Sequence, residues 1–130
     1  MWSKSSSAKL NTCDKRIIEL MTAVCSLYDI TVIEGHRSIE DQQKYYKDGK
    51  SKIDGILKKG MHNYMPSKAV DIAPYPVNFK DINSFYFLAG IVKAEAKRLG
   101  LRIRWGGDWD SDNDFKENTF NDLVHFEIVD

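Results

Sequence analysis

Hydrophobic residues recur at helical spacing in three parts of the chain. In the first, residues 7–28, one face carries Leu10, Cys13, Ile17, Leu20, Met21, Val24 and Leu27. This i, i+3, i+4, i+7 pattern predicts a single amphipathic helix. A second helix is predicted from Ser38, because Ser38-Ile39-Glu40-Asp41 looks like a capping box, and it is expected to stop near Gly49. A third is predicted over residues 81–99, with Gly100 as its C-terminal cap.

Four short apolar or alternating runs predict strands, at residues 30–35, 69–73, 101–105 and 123–129. Two polar stretches, 50–68 and 106–121, are expected to be long loops, and loops of that length are usually functional. Helices and strands therefore mix without regular β-α-β repetition. This order predicts an α+β fold, with a small, mostly antiparallel sheet flanked by helices.

Composition narrows the class of protein. The chain has 130 residues, with 19 Lys plus Arg and 19 Asp plus Glu, so its formal net charge is zero. A length of this order fits one domain, which we expect to span residues 1–130 without a separate second module. The balanced charge gives no electrostatic case for nucleic-acid binding. No run approaches the roughly 20 apolar residues of a membrane span, so we expect no membrane insertion.

The two cysteines, Cys13 and Cys25, both fall in the first predicted helix. In an intact helix, twelve residues separate two positions by about 18 Å along the axis. A disulfide requires Cα atoms within about 7 Å. We therefore expect two buried free thiols.

The histidines and their neighbours are candidates for chemistry. His62 lies in the first long loop, and Asp71 follows in a strand otherwise made of apolar residues. A carboxylate inside an apolar strand is costly unless it is paired or binds a metal. On the last strand, His125 and Glu127 share one face. Two imidazoles and one carboxylate are the ligand set of a catalytic zinc, which keeps a fourth position open. The alternative is that both strands are hydrated sheet edges.

Other polar residues could complete such a site. Asp122, just before the last strand, is the preferred base for a metal-activated water. Glu127 could be the base instead, but orienting a ligand histidine is the preferred role. Arg37, at the end of the first strand, could bind a substrate carbonyl and its developing oxyanion, or could be a surface or salt-bridged arginine. His36 is expected to be structural.

Acidic residues at alternate positions between Asp108 and Asp114 are similar to the start of a calcium loop. The segment lacks the central glycine, and no glutamate stands at the twelfth position. A solvated acidic loop is therefore preferred, and Ca²⁺ is kept as a weaker alternative.

Taken together, these residues resemble the zinc D-Ala-D-Ala carboxypeptidase and phage L-alanyl-D-glutamate endopeptidase family. The resemblance covers roughly residue 30 to the C-terminus. Residues 60–71 resemble the family's S-x-H and A-x-D motif, with glycine in place of serine, and residues 122–127 resemble its acid and H-x-E ending. Residues 35–38 resemble its G-x-R-S element, which Gln42 follows. Residues 105–109 look like the endolysin branch.

The resemblance implies a fold like that of D-Ala-D-Ala peptidases and hedgehog domains, with the zinc site on the sheet. It implies one Zn²⁺ on His62, Asp71 and His125, with Asp122 as the base and Arg37 supporting the transition state. Arg37 and Gln42 are then expected to bind substrate.

The implied activity is that of a phage-type endolysin, which hydrolyses the L-Ala–D-Glu bond of the peptidoglycan stem peptide. One alternative is a D-Ala-D-Ala carboxypeptidase or dipeptidase. Another is a non-catalytic wall-binding module, against which the intact Asp122 argues. An endolysin would wait as a monomer in the host bacterial cytoplasm and would need a holin-type permeabilising partner to reach the wall.

Overall fold

The computed structural model describes residues 2–49, 60–108 and 122–130. In chain order these parts contain helices α1 (Lys4–Leu10) and α2 (Lys15–Leu27), strand β1 (Ile30–Glu34), helix α3 (Ile39–Lys47), a 3-10 helix (Met61–Asn63), strand β2 (Ala69–Pro74), helix α4 (Ile82–Arg98), and strands β3 (Ile103–Gly106) and β4 (Asp122–Ile128). Parts of both predicted long loops, 50–59 and 109–121, lie outside the described residues.

The strands form one sheet in the order β1-β2-β4-β3, and each neighbouring pair is antiparallel. This confirms the predicted α+β class and the small antiparallel sheet. β2 and β4 are the inner strands, and every residue of β2 is buried. The alternative in which Asp71 and His125 lie on hydrated sheet edges is therefore wrong.

The predicted helix over residues 7–28 is in fact two helices, α1 and α2, so the prediction of a single helix is wrong. α1 ends at Leu10, and Asp14 caps α2 by accepting a hydrogen bond from the backbone N–H of Arg16. Between the helices, Cys13 forms an isolated parallel β-bridge with Ser67. The apolar periodicity runs through the break because both helices bury side chains in the same core.

The cysteine prediction changes with this break. Cys13 does not lie in a helix but in the connection between two helices, where it is buried, whereas Cys25 is half-buried on α2. Both thiols are free, as expected. Burial raises the pKa of the Cys13 thiol to about 11, so it stays protonated and unreactive at neutral pH.

The remaining helix boundaries follow local signals. Ser38 caps α3 by accepting from the backbone N–H of Asp41, as the predicted capping box requires. Asp81 caps α4 in the same way. α4 ends before Gly100, whose φ of +73° is the left-handed conformation that favours glycine after a helix.

One face of the sheet is covered by helices. α4 packs against β2, β3 and β4, α2 packs against α4, and α1 packs against β1. The strands contribute Ile30, Val32, Val70, Ile72, Trp105, Phe126 and Ile128 to this core. Burying an aliphatic or aromatic side chain fully contributes roughly 1.5–3 kcal/mol, so this face carries much of the fold's stability. Among the described residues, no helix is both long and apolar enough to cross a membrane.

Candidate active site

The opposite face of the sheet carries a row of polar residues across three strands. Glu34 on β1 pairs with Asp71 on β2, and Asp71 pairs with His125 on β4. Residues directly opposite in an antiparallel pair have Cβ atoms about 4.5–5.5 Å apart. The strand register therefore brings these side chains together on the face away from the helices.

His62 reaches this row from the 3-10 helix. Its Nε2 lies 3.0 Å from Asp71 Oδ1, and its Nδ1 lies 2.6 Å from the carbonyl oxygen of Gly35. The carbonyl is placed there by a close backbone approach, since a Cβ on residue 35 would lie 2.3 Å from the Lys9 carbonyl oxygen. Because a carbonyl can only accept, Nδ1 carries a proton, and Nε2 is the ring nitrogen that faces Asp71 and could bind a metal after giving up any proton it shares with that carboxylate.

His125 also contacts Asp71, but through Nδ1, whereas His62 does so through Nε2. Its Nδ1 lies 3.2 Å from Asp71 Oδ1, while its Nε2 lies 2.7 Å from Glu127 Oε1. The second oxygen of Glu127 lies 3.5 Å from Arg104 Nη1. Glu127 thus contacts the His125 ring in the way that its preferred role, orienting a ligand histidine, requires.

These three side chains fit a metal ion. His62, Asp71 and His125 are all buried, and each offers one ligand atom within 4.8 Å of the others. Ligands about 2.0–2.2 Å from a tetrahedral zinc lie about 3.3–3.6 Å from one another. The two histidine nitrogens lie 3.0 and 3.2 Å from Asp71 Oδ1, and all three ligand atoms lie within 4.8 Å of one another. Each imidazole also has its remaining nitrogen held by an oxygen acceptor, as metal-ligating histidines usually do.

Electrostatics at the cluster favour an ionised carboxylate. Burial acts to raise the pKa of Asp71, but hydrogen bonds with His125 and His62 outweigh burial and hold this pKa well below its usual range. Burial acts to lower the pKa of His125, but hydrogen bonds to Asp71 and Glu127 outweigh it and raise the pKa to about 9. A metal bound here must therefore displace a proton from His125 at neutral pH.

Asp122 is the first residue of β4 rather than a residue before it, which corrects the sequence prediction. It pairs with Gly106 on β3, and a Cβ on residue 106 would lie 2.0 Å from the Asp122 carbonyl oxygen. Only glycine allows this approach. Burial and the nearby charge of Asp71 raise the pKa of Asp122, while His125 and other cations of the site lower it less.

Arg37 lies at the edge of the cluster with a largely buried side chain. Its guanidinium forms an ion pair with Glu34, donates from Nη1 to Gln42 Oε1 at 2.9 Å, and places Nη2 3.8 Å from Asp71 Oδ2. The ring of Tyr45 lies 4.4 Å from the guanidinium carbon. Arg37 thus forms a salt bridge and also lies at the site, whereas the sequence left these as alternatives.

The backbone of Arg37 is tied to the 3-10 helix. Its N–H donates to the carbonyl oxygen of His62 at 2.8 Å, and its carbonyl accepts from Asn63 Nδ2 at 3.0 Å. Asn63 Oδ1 accepts in turn from the N–H of Gly60. The segment that carries Arg37 and the segment that carries His62 therefore hold one another in place.

Gln42 is buried on α3, and its side-chain oxygen is engaged with Arg37. The structure thus gives Gln42 a contact with Arg37, and its expected contact with substrate stays a prediction. His36 lies apart from the cluster, with Nδ1 3.0 Å from the Tyr64 carbonyl oxygen.

The calcium hypothesis concerned residues 108–114, of which only Asp108 lies within the described residues. Asp108 is buried rather than solvated, and Lys93 Nζ lies 3.7 Å from its Oδ2.

Sequence reasoning missed Glu34, Tyr45 and Asn63. Tyr45 follows Gln42 by three residues on α3, so helical spacing could have placed both on one face. Strand alternation would have placed Glu34 on the core face with Val32. A register irregularity between Val32 and Glu34 moves Glu34 opposite Asp71 instead.

Known proteins resemble this chain in sequence and in fold. The family model described as phage L-alanyl-D-glutamate peptidase matches residues 1–129. The L-alanyl-D-glutamate peptidase of Escherichia phage T5 is 27% identical over 128 residues, which cover 93% of this chain and 87% of that protein. The crystal structure of Serratia marcescens L-Ala D-Glu endopeptidase ChiX is similar with a TM-score of 0.77 and 22% identity, over 98% of this chain and 89% of that one. The structural likeness supports the fold.

Proposed function

Because this chain belongs to the phage L-alanyl-D-glutamate peptidase family, we propose that it is a zinc-dependent endopeptidase that hydrolyses the L-Ala–D-Glu bond of the peptidoglycan stem peptide. The observation that carries the proposal is the buried group of His62, Asp71 and His125, whose spacing and ring orientations suit a divalent cation. Two imidazoles and a carboxylate favour zinc, one per chain, among divalent ions.

The ligand atoms in this proposal are His62 Nε2, His125 Nδ1 and a carboxylate oxygen of Asp71. Zinc held there would polarise the scissile carbonyl and lower the pKa of the attacking water. Gly35 and Glu127 keep the two rings turned so that these nitrogens face Asp71. The protein's part is thus to hold these three ligands in place.

Asp122 serves as the base in this mechanism. It accepts a proton from the water as the water oxygen bonds to the L-Ala carbonyl carbon, and it passes that proton to the D-Glu nitrogen as the C–N bond breaks. The second proton of the water also ends on that nitrogen, so the products are a carboxylate on L-Ala and an ammonium group on D-Glu. The raised pKa of Asp122 suits this exchange, because a base works best when its pKa approaches the working pH.

Arg37 supports the oxyanion that develops on the carbonyl oxygen. Its guanidinium lies beside Asp71 and keeps a fixed orientation through Glu34, Gln42 and Tyr45. A preorganised cation contributes more than a mobile one, since it needs no rearrangement during the reaction. Gln42 is assigned to the substrate-binding edge of the site together with Arg37.

The setting in this proposal is phage lysis. The relative from phage T5 carries the same peptidase name, which supports a phage role for this chain. The protein is made in the host cytoplasm as a monomer and reaches the wall after a holin-type partner permeabilises the membrane.

Mass spectrometry of products from purified peptidoglycan tests the activity. The protein is assayed as isolated, after chelation, and after zinc is restored. New L-Ala carboxyl ends and D-Glu amino ends, lost on chelation and recovered with zinc, are expected. Release of D-Ala alone would instead indicate a carboxypeptidase.

An Asp122→Asn variant tests the mechanism. We expect kcat to fall roughly 10²–10⁴-fold, the usual contribution of a general base, while zinc stoichiometry stays at one. The matched control is Asp29→Asn, an exposed residue just before β1, which should keep full activity. A wild-type protein that holds zinc and binds the wall without cutting it would favour the wall-binding module.

A further inference from the structure

Arg37 stands beside a carboxylate that the proposed function assigns to the metal. Its Nη2 lies 3.8 Å from Asp71 Oδ2, which is beyond hydrogen-bond distance. Guanidinium groups readily form close, bidentate pairs with carboxylates. An arginine free to move would approach Asp71 and compete with zinc for its oxygens.

Glu34 contacts the edge of the guanidinium that could otherwise form a bidentate pair with Asp71. Its Oε1 accepts from Arg37 Nε and also contacts Nη2. Glu34 is opposite Asp71 across the β1–β2 pair, so the guanidinium lies between two carboxylates and is bonded to one of them. The register irregularity in β1 is what provides this second carboxylate.

Tyr45 holds both members of this ion pair. Its ring lies 4.4 Å from the Arg37 guanidinium carbon, within the range of a cation–π contact. Its hydroxyl donates to Glu34 Oε2 at 3.3 Å. Tyr45 therefore contacts the cation through its ring and the anion through its hydroxyl. Both contacts favour the Arg37–Glu34 ion pair.

We infer that Glu34 and Tyr45 are positioning residues that keep Arg37 at the edge of the site and leave Asp71 to the metal. The inference rests on the proposed function, because it takes Asp71 as a metal ligand and Arg37 as the support for the oxyanion. Neither Glu34 nor Tyr45 needs to touch substrate.

Zinc affinity gives a test that does not depend on turnover. In Glu34→Gln, Arg37 is released toward Asp71, and zinc affinity should fall about 10-fold or more, as for other residues that orient metal ligands. In the double variant Glu34→Gln/Arg37→Ala the competing cation is gone, and affinity should return to within about threefold of that of Arg37→Ala alone. A merely structural role for Glu34 would not be rescued by deleting Arg37.

Kinetics on a defined muropeptide supply the second measurement. At saturating zinc, Glu34→Gln should lower kcat more than it changes KM, and it should have no further effect in the Arg37→Ala background. Tyr45→Phe keeps the ring but loses the hydroxyl. We therefore expect a smaller fall in kcat, of about two- to tenfold, which corresponds to the loss of one hydrogen bond. Glu19→Gln, on the exposed side of α2, is the matched control.

The outcomes separate the two hypotheses. Wild-type protein that binds zinc but does not cleave contradicts the proposed function alone. Unchanged zinc affinity in Glu34→Gln, or a loss that persists undiminished in the double variant, overturns the positioning inference. Wild-type protein that binds no zinc overturns both. If Glu34→Gln fails to fold, the same comparison is made with Tyr45→Phe, in the presence and absence of Arg37.

Discussion

The two faces of the sheet are built from the same strands but hold opposite kinds of residue. On β2, Val70 and Ile72 face the helices and join the apolar core, whereas Asp71 between them faces the other way. On β4, Phe126 and Ile128 repeat the core pattern, and His125 with the neighbouring Glu127 repeats the polar one. Asp71, His125 and Glu127 are buried like their apolar neighbours, so burial alone does not distinguish the two faces at these positions.

The difference lies in what burial does to free energy. Removing apolar side chains from water stabilises the fold. Removing charged groups costs free energy unless each is paired or bound. The polar face therefore depends on close partners for its buried charges, such as Asp71 and His125, and its residues serve the chemistry of the site. We expect substitutions on the core face to reduce stability and substitutions on the polar face to reduce function.

Asp71→Asn should have the largest effect. The variant loses the negative charge that both histidines share, so zinc affinity should fall by more than the roughly 10–100-fold seen when an outer partner is lost, and cleavage should drop to background. Zinc titration and muropeptide assays measure this. Retained cleavage would contradict the assignment of Asp71 as a ligand.

Ile72 follows Asp71 on β2 but faces the apolar core, so Ile72→Ala tests the opposite face of the sheet. We expect a loss of about 2–5 kcal/mol in the free energy of unfolding, because the substitution removes buried methyl groups and leaves a cavity. Urea unfolding measures it. Zinc stoichiometry per folded molecule should stay at one, and loss of zinc from a folded variant would show that the two faces are not independent.

Glu127→Gln changes a residue that contacts the proposed metal ligand His125 without being a ligand itself. The amide is a poorer acceptor for His125 Nε2, and zinc affinity should fall roughly 10–100-fold. Competition with a chelator of known affinity provides the measurement. The comparison variant is Arg104→Gln, which removes the outer contact to Glu127 and should have a smaller effect.

Asp14 lies away from both faces and should show the smallest effect. Its pKa is lowered chiefly by the hydrogen bond with the Arg16 side chain, so its stabilising contribution is present above the unfolded pKa of about 3.9 and is lost as pH falls through the lower folded value. Asp14→Ala should cost about 0.5–2 kcal/mol near neutral pH through loss of the helix cap.

Asp14→Asn is the matched variant, because it keeps a cap acceptor without a titrating carboxyl. Its stability difference from wild type should be present at pH 7 and should shrink toward pH 2. Urea unfolding over this range would contradict the prediction if the difference grew on acidification.

Much of the fold and the candidate cluster could be predicted from local patterns. Strand alternation placed His125 and Glu127 on one face, and an acid among apolar neighbours identified Asp71. Helix caps at Ser38 and Gly100 were also readable, since each depends on a few adjacent residues. The single helix over residues 7–28 was wrong because periodicity reports which side chains face the core and does not report a break between two helices that share it.

The sequence by itself determined the α+β class, the order of elements from β1 onward, and which residue types could bind a metal and move a proton. Tertiary structure decided which of them meet. The bulge in β1 turns Glu34 toward Asp71, β4 begins early enough to include Asp122, and Arg37 acquires its partners from three separate elements. Local conformation depends on neighbours in the chain, and these contacts depend on strand register and loop closure, which no single segment encodes.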